Sequence, residues 1–315
     1  MKVFIDGSAG TTGLQLEERL LKRSDVELLK IDRADAKNEN IKIDVMKQVD
    51  AIFLCLPDDA ARRSAEIAPT DTVVIDASTA HRTAAGWTYG LPELSERHRS
   101  EIAGAKRIAA PGCHACGFIS LVYPLMSAGL LPQDAQINCT SVTGYSGGGK
   151  SLISTYETER TPEDNLHAPM PYALGLTHKH LPEMTAVTGL RHPPHFYPIV
   201  GDMAQGMLVS VHLWQSQFTK KTSPEAVHEL ISAHYTGSFF IRVQDLEGVS
   251  PYAPPQNFLD PTACNGTNFM DIFVFGHENQ LIVSARFDNL GKGASGAAMQ
   301  CMNIAAGLDE RTGFE

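Results

Sequence analysis

From Val3 to Ala109 short apolar runs alternate with helical or polar segments, and the first junction is a turn built on glycine. Val3 to Asp6 is a β-rich run. Gly7-Ser8-Ala9-Gly10-Thr11-Thr12-Gly13 follows, and Leu14 to Arg23 then places leucines 14, 20 and 21 on one helical face. Val26 to Ile31, Ala51 to Leu56, Thr72 to Ala77 and Lys106 to Ala109 read as further strands. Such alternation requires right-handed crossovers, so the expected fold is α/β, with a parallel sheet covered by helices on both faces.

After Cys113 the pattern changes. Cys116 to Leu131 reads as a buried helix, and β-type runs follow at Gln136 to Thr143, Met207 to Trp214, Phe239 to Val243, Phe269 to Phe275 and Leu281 to Phe287. Their closeness in sequence predicts an antiparallel or mixed sheet. Ser223 as N-cap and Pro224 at the first helical position open a helix to about Tyr235 that would cover one face. The second domain is therefore expected to be α+β. Prolines and polar residues break every period between Arg191 and Tyr197 and between Val249 and Pro261, so both read as loops. Gly293 to Leu308 is an Ala/Gly/Met-rich helix suited to close packing. Its expected return to the first domain makes that domain discontinuous, 1–112 with 293–315, around a second domain at 113–292.

The net charge of -10 and a pI near 5.6 argue against nucleic-acid or anionic-membrane partners, so an anionic substrate must be met by local cations. No basic-plus-apolar leader opens the chain and no run approaches a membrane span. The six cysteines are scattered through strands and helices, which predicts reduced thiols in a cytoplasm.

The glycine turn at 7, 10 and 13 lies between strand and helix, where backbone N–H groups and the helix dipole hold a pyrophosphate. Beyond the second strand, Asp32 favours a free ribose hydroxyl whereas Arg33 favours a 2'-phosphate, which leaves NAD against NADP open. Pro111-Gly112-Cys113 precedes an apolar helix, and a helix N-terminus lowers a thiol's pKa. Cys113-x-x-Cys116 also admits a redox dithiol or half of a zinc site, but no second pair completes the zinc site, so packing is the expected role of Cys116. No metal is expected.

His178-Lys179-His180-Leu181-Pro182-Glu183 is the densest acid/base cluster. In an extended segment residues 178 and 180 point the same way, which would bring two imidazoles to one site with Glu183 near to fix a tautomer. Gly144 to Ser151 satisfies the P-loop pattern, yet its flanking strands read as antiparallel. The expectation is a flexible substrate loop with Lys150 reaching an anionic group, and ATP-dependent chemistry is the rival.

Taken in order, Asp76-Ala77-Ser78-Thr79-Ala80-His81-Arg82, Tyr89-Gly90-Leu91-Pro92-Glu93, Pro111-Gly112-Cys113, the His178 to Glu183 run and Asp288-Asn289-Leu290-Gly291-Lys292-Gly293 resemble the N-acetyl-gamma-glutamyl-phosphate reductase family. The length and the Gly-Tyr-Ser-Gly-Gly-Gly-Lys loop look like its shorter, type 2 branch. That resemblance implies a Rossmann domain binding NADP, an α+β domain like that of aspartate-semialdehyde dehydrogenase, an acyl-phosphate substrate in arginine biosynthesis, and a homodimer or homotetramer. It implies Cys113 as nucleophile, an acid/base in His178 or His180, and cofactor contacts from Gly7, Ser8, Gly10, Thr11, Thr12, Gly13, Arg33, Ser78 and Asn289, with Arg82 and Lys150 on the substrate. A related reductase of aspartyl or aminoadipyl phosphate would keep the same machinery. Many family members read Asn-Pro-Gly-Cys-Tyr-Pro-Thr where this chain reads Ala110-Pro111-Gly112-Cys113-His114-Ala115-Cys116, so His114 and Cys116 are new neighbours of the thiol.

Overall fold

The computed structural model describes residues 1–161, 163–246 and 258–314, which fall into two compact units, Met1–Gly112 with Ala294–Glu315 and Cys113–Gly293. In the first unit, strands β1 (Lys2–Asp6), β2 (Glu27–Leu29), β3 (Ala51–Leu54), β4 (Val73–Asp76), β5 (Thr88–Tyr89) and β6 (Arg107–Ala109) form one sheet. Its order is β2-β1-β3-β4-β6-β5 and every pairing is parallel.

Helices α1 (Thr11–Leu21), α2 (Glu39–Met46), α3 (Asp58–Ile67) and α4 (Glu96–Gly104) alternate with these strands. Alternate residues of β1 and β3 supply two separate cores. Val3, Ile5 and Phe53 pack with Leu16, Leu20, Met299 and Met302, whereas Phe4, Ile52 and Leu54 pack with Met46 and Val49. A sheet apolar on both faces needs helices on both, which is why its strands read as continuous hydrophobic runs. The first face is closed by α9 (Gly296–Ala305), entered through a π-helical turn at Gly291–Ser295.

The second unit opens with α5 (Cys113–Ser127), followed by β7 (Asn138–Gly144), α6 (Gly149–Glu157), β8 (Met170–Pro171), α7 (Leu181–Thr188), β9 (His195–Gly201), β10 (Met207–Trp214), α8 (Pro224–His234), β11 (Ile241–Val243), β12 (Met270–His277) and β13 (Gln280–Phe287). The sheet is mixed, in the order β11-β12-β13-β10-β7-β9-β8, with β7 and β9 parallel and β7, β10, β13 and β12 successively antiparallel. Helix α5 lies so close that a Cβ on Gly117 would come within 2.6 Å of Val209 and 2.8 Å of Phe287. Along β10 residues alternate between buried and partly exposed, and the face turned away from α5 carries the exposed side chains of Tyr197, Trp214 and Ile282.

Three expectations need correction. The helix expected from Cys116 begins at Cys113, and α1 begins at Thr11 rather than Leu14. The segment read as a loop to Tyr197 is strand from His195 onward, because it pairs with β7 through every residue from Asn138 to Gly144. Most of the expected loop at 249–261 lies outside the described residues.

Candidate active site

Cys113 is the first residue of α5, partly exposed, and the first turn of this helix has no acidic side chain to oppose a thiolate. Its backbone is braced by the re-entrant end of the unit: a Cβ on Gly293 would lie 2.9 Å from the Cys113 Cβ. Cys116, one turn on, is fully buried and its Sγ donates to the Lys292 carbonyl at 3.5 Å, as expected for a packed thiol.

His178 and His180 do come together, with ring centroids 4.7 Å apart, but not by the expected route. The segment is a turn, closed by Leu181 N–H donating to the His178 carbonyl, and His180 is the N-cap residue of α7 in the helical region of backbone space. Pro182 in the first turn favours starting a helix there, which overrides extension. Within the turn the His180 backbone N–H donates to His178 Nδ1 at 3.2 Å. An accepting Nδ1 is unprotonated, so a proton on the His178 ring sits on Nε2. His180 and Glu183 are buried and His178 is partly exposed.

The centre of this cluster is His114, to which the motif reading gave no role. It is 2 % exposed and lies 5.3 Å from the His178 ring, 5.5 Å from His180 and 5.2 Å from Phe196. Its Nδ1 is 2.8 Å from Ser141 Oγ on β7 and its Nε2 is 2.7 Å from the Tyr172 hydroxyl. Burial, reinforced by the charges of His178 and Lys179, pushes its pKa down to about 3 and keeps the ring neutral. Tyr172 is held protonated, first by burial and then by its nearness to Cys113. The unusual His beside the nucleophile was the one signal available; Ser141 and Tyr172 come from distant segments and had none.

The Gly144 to Ser151 loop is strand, turn and helix, and four of its amides are turned inward: Gly144, Tyr145 and Ser146 donate their N–H groups to the carbonyls of Gly206, Met203 and Ala204, and Gly149 donates to the carbonyl of Ser146, where a phosphate cradle needs them turned to the ligand. Asn289 staples the same loop, accepting from Gly206 N–H at 2.9 Å and donating to Ser146 Oγ at 3.0 Å. Lys150, at the start of α6, is exposed.

In the first unit the glycine turn follows β1 at the switch point where strand order reverses between β2 and β3. Gly7 has φ +93° and a Cβ there would meet the Cys55 carbonyl oxygen at 2.4 Å; one on Gly13 would meet the Gly7 carbonyl oxygen at 2.5 Å. Gly10 caps α1 without any side-chain hydrogen bond, and among the described residues the buried Thr11 Oγ1 has no hydrogen-bond partner. Uncapped N–H groups, an orphaned hydroxyl and a bare backbone fit a pyrophosphate. Ser8 and Thr12 flank the turn, partly exposed, and Asp32 and Arg33 are exposed just beyond β2. Ser78, after β4, donates to Asp76 through N–H and hydroxyl, and Asp76 also holds His81 Nδ1 at 2.6 Å. Arg82 donates to the carbonyls of Ala110 and Ala77, which ties down the approach to Pro111. Among the described residues no set of three acidic, His or Cys side chains is arranged to hold a metal ion.

The semialdehyde dehydrogenase NAD binding domain matches residues 2–103, and the semialdehyde dehydrogenase dimerisation domain matches residues 113–289. N-acetyl-gamma-glutamyl-phosphate reductase 2 of Nostoc sp. is 44% identical over 99% of each chain. N-acetyl-gamma-glutamyl-phosphate reductase of Chelativorans sp. is 43% identical over 96% of this chain and 97% of its own. Among solved structures, aspartate semialdehyde dehydrogenase II from Vibrio cholerae superposes with a TM-score of 0.72 at 18% identity, covering 97% of this chain and 98% of that one. At that identity the likeness establishes the two-domain fold.

Proposed function

The chain belongs to the N-acetyl-gamma-glutamyl-phosphate reductases, and on that premise we propose that Cys113 carries the NADPH-dependent reduction of N-acetyl-L-glutamyl 5-phosphate to N-acetyl-L-glutamate 5-semialdehyde and phosphate, a step of arginine biosynthesis. The observation that carries the assignment of residues is a partly exposed cysteine at the N-terminus of a buried helix, followed at once by His114, whose ring lies 5.3 Å from that of His178.

The α5 dipole favours the thiolate. Its sulfur attacks the acyl carbon, the carbon–oxygen bond to phosphate breaks, and phosphate departs with the bonding pair, leaving a thioester on Cys113. NADPH, when bound, supplies the hydride that reduces this acyl carbon. The carbon–sulfur bond then breaks, releasing the aldehyde and restoring the thiolate. One hard displacement thus becomes two easier steps. His178 offers its Nε2 proton to the acyl oxygen as negative charge develops, and backbone N–H groups near Cys113 add to that stabilisation.

Residues 1–112 with 293–315 are assigned to the cofactor and residues 113–292 to catalysis and assembly. Gly7, Gly10 and Gly13, with Ser8, Thr11 and Thr12, would hold the pyrophosphate, and Arg33 would meet the 2'-phosphate. Ser78 and Asn289 are assigned to the cofactor, while Lys150 and Arg82 are the cations assigned to the anionic ends of the substrate. A second copy would cover the exposed Tyr197, Trp214 and Ile282, which favours a homodimer or a homotetramer built from it. An enzyme that depends on a reduced Cys113 belongs in the cytoplasm.

Phosphate-dependent reduction of NADP by N-acetylglutamate semialdehyde, the reverse reaction, tests cofactor, substrate and nucleophile together. Cys113→Ser is expected to abolish it while leaving NADPH binding nearly intact. Turnover at the level of the unaltered enzyme would remove Cys113 from the mechanism.

A further inference from the structure

Once Cys113 and His178 have their parts, one hydrogen-bonded chain beside them remains: Ser141 Oγ, 2.8 Å, His114 Nδ1; His114 Nε2, 2.7 Å, Tyr172 hydroxyl. Its three members come from β7, from α5 and from the segment ahead of α7. Phe196 and the His178 ring wall it in at 5.2 and 5.3 Å. Ser141 and His114 are buried, whereas Tyr172 is partly exposed.

A neutral imidazole has one N–H and one lone pair, so the chain has two proton arrangements. With the proton on Nδ1, His114 donates to Ser141 and the Tyr172 hydroxyl is consumed as a donor to Nε2. With the proton on Nε2, Ser141 donates to Nδ1, Tyr172 accepts from His114, and the phenolic proton is turned outward. An O–H donated to an anion is worth roughly twice one donated to a neutral acceptor. The charge of Cys113 acts on the Tyr172 hydroxyl, so a thiolate there selects the second arrangement, and the neutral sulfur of a thioester lets the first return.

Resting on the reading of Cys113 as nucleophile, we propose that Ser141 and His114 are positioning residues that turn the Tyr172 hydroxyl proton toward the Cys113 sulfur and so raise the share of Cys113 present as thiolate. The titratable groups facing the chain are Cys113 on α5 and His178, Lys179 and His180 on the turn ahead of α7; the β7 and β9 side chains against it, Ser141 and Phe196, carry no charge. His114 joins the two hydroxyls through its two ring nitrogens.

The test is the pH dependence of Cys113 alkylation by iodoacetamide, read at that residue by peptide mapping, which needs neither substrate nor cofactor. Tyr172→Phe is expected to move the midpoint upward by about one pH unit, the size of a single hydrogen bond to an ionised group. Ser141→Ala should move it less, and Ser141→Ala with Tyr172→Phe no further than Tyr172→Phe alone. Turnover by Tyr172→Phe at neutral pH should fall roughly ten-fold, in step with the lost thiolate, and recover as pH rises. A midpoint in Tyr172→Phe equal to that of the unaltered enzyme overturns the proposal whatever the turnover does, as do fully additive shifts in the double variant. An unaltered enzyme that fails to reduce N-acetylglutamyl phosphate yet shows the shifts in its variants would sink the assigned reaction and leave this inference standing.

Discussion

His114 is an ionisable group buried without its charge, and this couples folding to pH. Its folded pKa, about 3, lies below the value near 6.5 of an unfolded chain, so the unfolded state takes up the proton first as pH falls. Its contribution is fully present above about pH 6.5 and drains away as pH drops toward 3, by about 2 kcal/mol between pH 6.5 and 5. His114→Gln should flatten that part of the profile, as urea midpoints at pH 7 and pH 5 would reveal; an equally steep loss in the variant would mean that other groups govern it. Of this neighbourhood, the sequence exposed only the oddity of a histidine after the nucleophile. That Ser141 and Tyr172 would close on it depends on β7 pairing with β10 in a register that turns Ser141 toward α5, a long-range choice no local motif encodes.

At the scale of elements, local chemistry was read well where one element decides its own shape and poorly where a neighbour decides it. The first turn was legible because Gly7, Gly10 and Gly13 allow few alternatives, and α8 because Ser223 caps it through Ala226 N–H and Pro224 follows. The His178 to His180 segment was misread as extended because alternating side chains look alike in a strand and in a tight turn; the helix that starts at Leu181 settles it. Strand β9 was hidden by Pro198 and by Pro193 and Pro194 just ahead of it; the pairing with β7 runs through Pro198. The P-loop pattern, matched letter by letter, is weakened at the level of the backbone because four of its amides already have partners. Gly13→Ala should therefore injure the cofactor turn without touching Cys113. Its Cβ would press on the Gly7 carbonyl, so a stability loss of about 1–3 kcal/mol and a rise in the NADPH dissociation constant of at least ten-fold are expected. Fluorescence titration with NADPH checks this, and an unchanged affinity would place the pyrophosphate elsewhere.

For the whole molecule, the exposed side chains of Tyr197, Trp214 and Ile282 share the open face of the second sheet. Trp214→Glu places a charge on that face and should shift sedimentation toward the single-chain mass while circular dichroism stays as it was. An unaltered mass would move the contact between copies to another surface.

The discontinuity of the first unit has a consequence for how the chain is made. Its β-strands leave the ribosome early, but Met299 and Met302, which close one side of their core, belong to α9 and emerge almost last. Until synthesis is nearly complete, Val3, Ile5 and Phe53 lack part of their cover, and the intervening Cys113–Gly293 segment can acquire its own structure first. Nascent chains stalled before α9 would thus be the form most in need of a chaperone.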